Sequence, residues 1–247
     1  MAARDEILEH ARQLLELDSY EDYGPMGLQV VGAEEVTKIA AGVSCSRELF
    51  ERAAAARAQL LLVHHGLFWD GDPRIVDGQM KARLRALFDA DLTLAAYHLA
   101  LDAHPEVGNN ALLGRRLGLE SLERFLEWGF GGRLSEPATL DDLARRLHEA
   151  TGREPQVFEG GAERIERVAV VTGGAAKLVP QAAAAGYDAF VTGEPAEPTM
   201  ALARELGIHF LAGGHYATET FGISALAERL ADRFSLDWEF LDVPNPV

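Results

Sequence analysis

Apolar residues along the chain gather into short runs, separated by stretches whose apolar positions recur at helical spacing. The run 38–44 (KIAAGVS) reads as a buried strand, 47–57 as a helix, and 59–63 (QLLLV) as a second buried strand ending in His64-His65-Gly66. Together they form a β-α-β unit. The same pattern returns at 167–172 (RVAVVT), a short helix near 178–185, and 188–191 (DAFV), followed by Thr192-Gly193-Glu194. Ala53–Ala56 then lies over Ala182–Ala185, and His65 over Glu194. Both copies continue with a helix (80–90; 199–206), a strand (92–97; 208–211), a His-bearing loop and a further helix. A repeat this long implies duplication of a supersecondary unit into two domains, not a solenoid.

The expected fold is therefore α/β, with two similar halves (1–126 and 127–247) whose sheets are mostly parallel. The second half opens with the strand-like FGGRL and a helix that Thr139 and Asp142 cap, while the His215/Glu219 segment could pack back against the first half. Pro180 fits only the first turn of its helix, so that helix should start late.

Ligands of such sheets bind beyond the carboxyl ends of the strands, and ionisable residues cluster there. His64-His65 follows a strand directly, with Gly66 supplying backbone freedom. Adjacent side chains of a regular strand face opposite ways, so the pair should leave the sheet where the strand ends. His98, Asp102 and His104 follow the 92–97 strand. Gly213-Gly214-His215-Tyr216-Ala217-Thr218-Glu219 is a Gly-rich turn opening a helix, on which His215 and Glu219, four residues apart, share a face. Each cluster has a plain structural explanation when taken alone: one packed and one solvated histidine, a carboxylate capping a turn, an exposed helical pair. Three such clusters at three strand ends point instead to a metal site.

Composition narrows the chemistry. With Cys45 as the single cysteine, an internal disulfide and a thiolate-rich zinc site are both excluded, leaving nitrogen and oxygen ligands suited to Zn, Fe, Mn or Mg. Five ligands exceed what one open catalytic ion needs and suffice for two divalent metal ions bridged by a carboxylate. A formal net charge of −16 argues against nucleic acid and anionic membrane surfaces as partners. The absence of a signal-like or long apolar segment makes a cytoplasmic protein the expectation.

The sequence also resembles the NIF-three-like dinuclear-metal family, labelled GTP cyclohydrolase 1 type 2 homologues. The carriers are Tyr23-Gly24-Pro25-Met26-Gly27-Leu28-Gln29-Val30, Val63-His64-His65-Gly66, the stretch from His98 to Asp102, Thr192-Gly193-Glu194, and Gly213-Gly214-His215 with Thr218-Glu219. The resemblance implies that His64, His65, Asp102, His215 and Glu219 are metal ligands, with Glu219 as the bridge and His98 an additional or outer ligand. It also implies metals in the cleft between two α/β halves, and a ring-shaped homohexamer. The reaction implied is hydrolytic opening of the imidazole ring of GTP at C8 with release of formate. His98 is the first choice for proton transfer, with Glu194 and Tyr216 as alternatives. No Walker-type phosphate loop is present. Two alternatives stay open: a metal-dependent phosphoester or amide hydrolase using the same ligands, and a non-enzymatic metal-binding interaction protein. Tyr20 and Tyr23 are expected to pack, and Trp69-Asp70-Gly71-Asp72 to form an acidic turn.

Overall fold

The computed structural model describes all 247 residues. Helices and strands alternate as the pattern requires, and the chain divides into two compact units, residues 1–101 with 222–244, and 102–221 with 245–247. These do not follow the expected boundary near residue 126. The chain leaves the first unit at Asp102 and returns to it at Gly222, because its final strand, Asp237–Phe240, pairs in parallel with Lys38–Ser44.

In the first unit a five-stranded sheet runs in the order Asp237–Phe240, Lys38–Ser44, Leu60–His65, Thr93–Ala96, Gly27–Val30. All neighbours are parallel except the last pair. Period-2 alternation sorts the side chains: Ala40, Leu61, Val63, Leu94 and Ala96 pack with Leu49, Phe50 and Ala53 of the helix Arg47–Ala55 and with Leu87 of the helix Gly78–Asp89. Burying each of these large side chains contributes roughly 1.5–3 kcal/mol. Ser46 caps the first helix and Asp77 the second, each side chain accepting a backbone N–H three residues on.

The second unit repeats the parallel core with Ile165–Val170, Ala189–Thr192 and His209–Ala212. Antiparallel strands flank it: Gly129–Ala138 and Leu119–Phe125 on one side, Gln156–Phe158 on the other. Both faces are covered, as continuous apolar strands demand. Phe190 and Phe210 join Val179 and Ala182 on one side, while Val168, Val170, Val191 and Leu211 pack with Leu113, Leu143 and Leu147 on the other. Thr139 and Asp142 form the reciprocal capping box expected of them. Pro180 sits in the first turn of Val179–Ala184, after a 3-10 turn at Ala176–Leu178. No helix is long and apolar enough to cross a membrane.

Candidate metal centre

Within the first unit, His64 and His65 are the last residues of the strand Leu60–His65, and the ladder continues to His65, which pairs with Ser44. The expectation that both histidines lie beyond the strand is thereby corrected: the parallel neighbour Lys38–Ser44 is long enough to hold them in the sheet. Their rings still meet at the strand's end, with centroids 4.8 Å apart. His98, just past Thr93–Ala96, brings its ring to 5.1 Å from that of His64 and 5.6 Å from that of His65. One ligand atom from each of the three lies within 4.8 Å of the others, a group able to hold a metal ion.

Each ring is oriented through Nδ1. The fully buried His64 pairs with the carbonyl of Tyr97 at 2.9 Å; a carbonyl only accepts, so Nδ1 carries the proton and Nε2 the lone pair. His65 Nδ1 meets Ser44 Oγ at 2.9 Å, and His98 Nδ1 meets Asp22 Oδ1 at 2.7 Å. Burial opposes ionisation of Asp22, but its bonds to His98 and to the amides of Leu99 and Tyr23 prevail and hold its carboxyl below the usual range. Trp69 packs edge-on to His98 at 5.2 Å, anchored by an indole N–H bond to the Gly66 carbonyl. The turn expected at 69–72 thus walls the histidines. Beside it, Phe68, Trp69, Ile75, Val76 and Met80 line a cavity of about 350 Å³ that also carries Arg74, Asp70 and Asp72. Tyr23, expected to pack, is 54% exposed, with its ring 6.3 Å from that of His98.

In the second unit, Asp102 is 6% exposed and accepts a 2.8 Å bond from the buried Asn109 amide. Asn110 ties the same turn to the segment just past the strand Ile165–Val170, accepting from the backbone N–H of Thr172 at 2.6 Å. His215 and Glu219 come together, but not on one continuous helix. The first turn, His215–Thr218, ends with Glu219 as its cap (φ −111°, ψ 6°), and a new helix runs from Thr220 to Phe234. His215 Nε2 lies 3.3 Å from Glu219 Oε2, and Nδ1 lies 3.1 Å from Glu194 Oε1. Burial works against a charge on His215, but Glu219 and Glu194 outweigh it and its pKa is pushed up to about 9. Close approach depends on glycine: Gly173 has φ +68°, and a Cβ there would collide with the Glu219 carboxylate. A Cβ on Gly193 would come within 2.6 Å of His215 Cα.

The other histidines of interest are structural. His104 Nδ1 accepts the amides of Glu106 and Val107, closing a turn, and His209 donates from Nε2 to the Ala162 carbonyl. Imidazoles and carboxylates, without a thiolate, fit a borderline or hard divalent cation.

A family model for DUF34/NIF3 (NGG1p interacting factor 3) matches residues 2–246. The chain belongs to the DUF34/NIF3 family. Among its relatives in the family is a Pseudomonas aeruginosa protein named GTP cyclohydrolase 1 type 2 homolog, 45% identical over 98% of this chain and 97% of that one. Of the solved structures, ybgI, a protein described as of unknown function, is 41% identical with a TM-score of 0.96, covering 100% of both chains. TTHA1606 from Thermus thermophilus is 40% identical with a TM-score of 0.94, again over 100% of both chains. The NIF3 fold is therefore shared along the whole length, and the motif from Tyr23 to Val30 lies beside a residue that sequence alone did not single out. It follows directly on Asp22, which orients His98. Asp22, Ser44, Asn109 and Asn110 went unread because each is a single polar residue in a turn, at a strand end or at a helix start, without a recognisable spacing to its partner.

Proposed function

We propose that the protein is a metal-dependent hydrolase in which His64, His65, Asp102, His215 and Glu219 hold two divalent ions, with Glu219 as the shared carboxylate. The observation that carries this reading is the convergence of His64, His65 and His98, each ring engaged at Nδ1 by a separate partner. Three histidines oriented in this way are costly to assemble without a cation to serve. Bound divalent ions would lower the pKa of water and polarise the substrate.

This chain's own residues then have distinct tasks. Asn109 holds the Asp102 carboxylate in place. Glu194 steadies His215 through Nδ1, leaving Nε2 on the Glu219 side. His98 takes up a proton from the attacking water at the ring nitrogen not committed to Asp22. Trp69 shields that ring from bulk solvent.

The name carried by the relatives makes GTP the first substrate to test: hydrolysis at C8 of the guanine ring with release of formate. Arg74, which lines the neighbouring cavity, would be the cation available to a phosphate group. A second reading, hydrolysis of an uncharged ester or amide, is favoured by Asp70 and Asp72 in the same cavity, which offset Arg74. Protein loaded with Zn, Mn or Fe and incubated with GTP should release formate and a pterin precursor. Release of an amine or alcohol from a neutral substrate panel, with no formate from GTP, would favour the second reading. Absence of metal after reconstitution would remove both.

A further inference from the structure

We infer that Asp22 is a positioning residue that locks His98 as the Nδ1–H tautomer, turning a lone pair on Nε2 toward His64 and His65. In its resting state His98 can therefore accept a proton or a cation at Nε2 and cannot donate from it. The use made of that lone pair rests on the hydrolase reading above; the tautomer does not.

Asp22 lies in a loop, yet its side chain is only 2% exposed. A carboxylate is withdrawn from water at a cost unless its oxygens are occupied, and here both are. Oδ1 accepts the backbone N–H of Tyr23 at 2.7 Å and meets His98 Nδ1 at 2.7 Å; Oδ2 accepts the backbone N–H of Leu99 at 2.9 Å. Backbone amides can only donate, so the two that converge on Asp22 require it to be an acceptor, and an ionised carboxylate is an acceptor only. The proton between Asp22 and His98 then belongs to Nδ1. Leu99 is the residue next to His98, so the carboxylate grips both the ring and the backbone that carries it, across 76 positions of sequence.

The logic matches that at His64, where the Tyr97 carbonyl fixes the same tautomer. His98 differs in that its orienter is a charge rather than a dipole. With Trp69 edge-on at 5.2 Å and the His64 ring at 5.1 Å, the ring of His98 has packed neighbours that hold it in this orientation.

The test uses the full chain labelled with 15N-histidine, studied free of metal after chelation and again after zinc loading. Long-range 15N–1H spectra, with His98 assigned through His98→Gln, should show a proton on Nδ1 in the unaltered protein. Asp22→Leu should abolish that preference. Asp22→Asn, which keeps the size but offers one acceptor oxygen to donors on both sides, should give mixed tautomers while far-UV circular dichroism and the thermal midpoint of the metal-free protein stay unchanged. Zinc affinity, read by competition with a chromophoric chelator, should fall about 10–100-fold in both variants. A shifted tautomer with unchanged zinc affinity also supports the positioning role and assigns His98 to proton transfer instead of ligation. A proton on Nε2 in the unaltered protein, or the same tautomer in all three proteins, overturns the inference even if zinc binds normally. The expected tautomers in a protein that binds no zinc would instead sink the hydrolase reading and leave Asp22 in its role.

Discussion

The two units prepare their polar residues in different ways. In the first, His64 and His65 are oriented by neutral groups, a backbone carbonyl and a serine hydroxyl, and His98 by a single carboxylate. In the second, His215 stands between two carboxylates that raise its pKa to about 9, against the burial that opposes charge. The first arrangement offers nitrogen lone pairs; the second offers negative charge, which a proton on His215 offsets in part. Neutral ligands give geometry at little electrostatic expense, whereas buried carboxylates create demand for a cation.

Removing one member of each set should have the largest effect. The double variant His64→Ala, Glu219→Ala is expected to lower bound metal from about two ions per chain to almost none, measured by elemental analysis, with the circular dichroism of the unaltered protein. Full metal content in that variant would refute the ligand assignment. The single variants sharpen the contrast between units. Glu219→Ala removes a carboxylate that raises the His215 pKa, so that pKa should drop, while His64→Ala should leave it in place.

Gly173→Ala tests how the second set is built. The residue would have to keep φ near +68° and place its Cβ against the Glu219 carboxylate. A cost of roughly 1–3 kcal/mol in unfolding free energy is expected, together with weaker metal retention. Gly152 also has positive φ (+70°), but its Cβ would meet nothing. Gly152→Ala should therefore lose stability without losing metal, and equal metal loss in both would show that backbone strain alone is responsible.

The pH dependence separates the two sets further. Because the folded pKa of His215 is raised, to about 9, its stabilising pairs with Glu219 and Glu194 are fully present below its ordinary value near 6.5 and are lost as pH rises through about 9. Metal must displace that same proton. Apparent zinc affinity should therefore climb by up to about tenfold per pH unit across this window. Glu219→Gln should end the climb at lower pH, and a flat profile in the unaltered protein would contradict the proton's role as placeholder.

The fold was legible where the apolar pattern was continuous. Strands such as Lys38–Ser44 and the helix Thr199–Leu206 fall on the expected residues because buried β-runs and helical spacing leave little choice. The parallel core of each unit followed from those runs. The boundary between units did not, since it depends on the terminal strand Asp237–Phe240 choosing Lys38–Ser44 as its neighbour, a non-local pairing that no window contains. The candidate ligands were visible because imidazoles and carboxylates at strand ends are chemically conspicuous. What orients them was not: Asp22 reaches His98 from a distant loop, and Tyr97 acts on His64 through a carbonyl that every residue possesses. The break of the helix at Glu219 was hidden for a related reason, as four-residue spacing reads the same on one helix as across a bend.

Tyr97 carries the smallest expected effect and isolates that distinction between backbone and side chain. Its carbonyl orients His64, but its hydroxyl is buried with no hydrogen-bond partner, and burial pushes its pKa well up. Tyr97→Phe removes an unsatisfied polar group and keeps the carbonyl. Stability should be unchanged or higher by up to about 1 kcal/mol, and zinc affinity should not move, as read by thermal unfolding and chelator competition. A loss of stability would mean that the hydroxyl finds a water in solution. A loss of zinc affinity at unchanged stability would mean that the ring, and not only the backbone behind it, holds His64 in place.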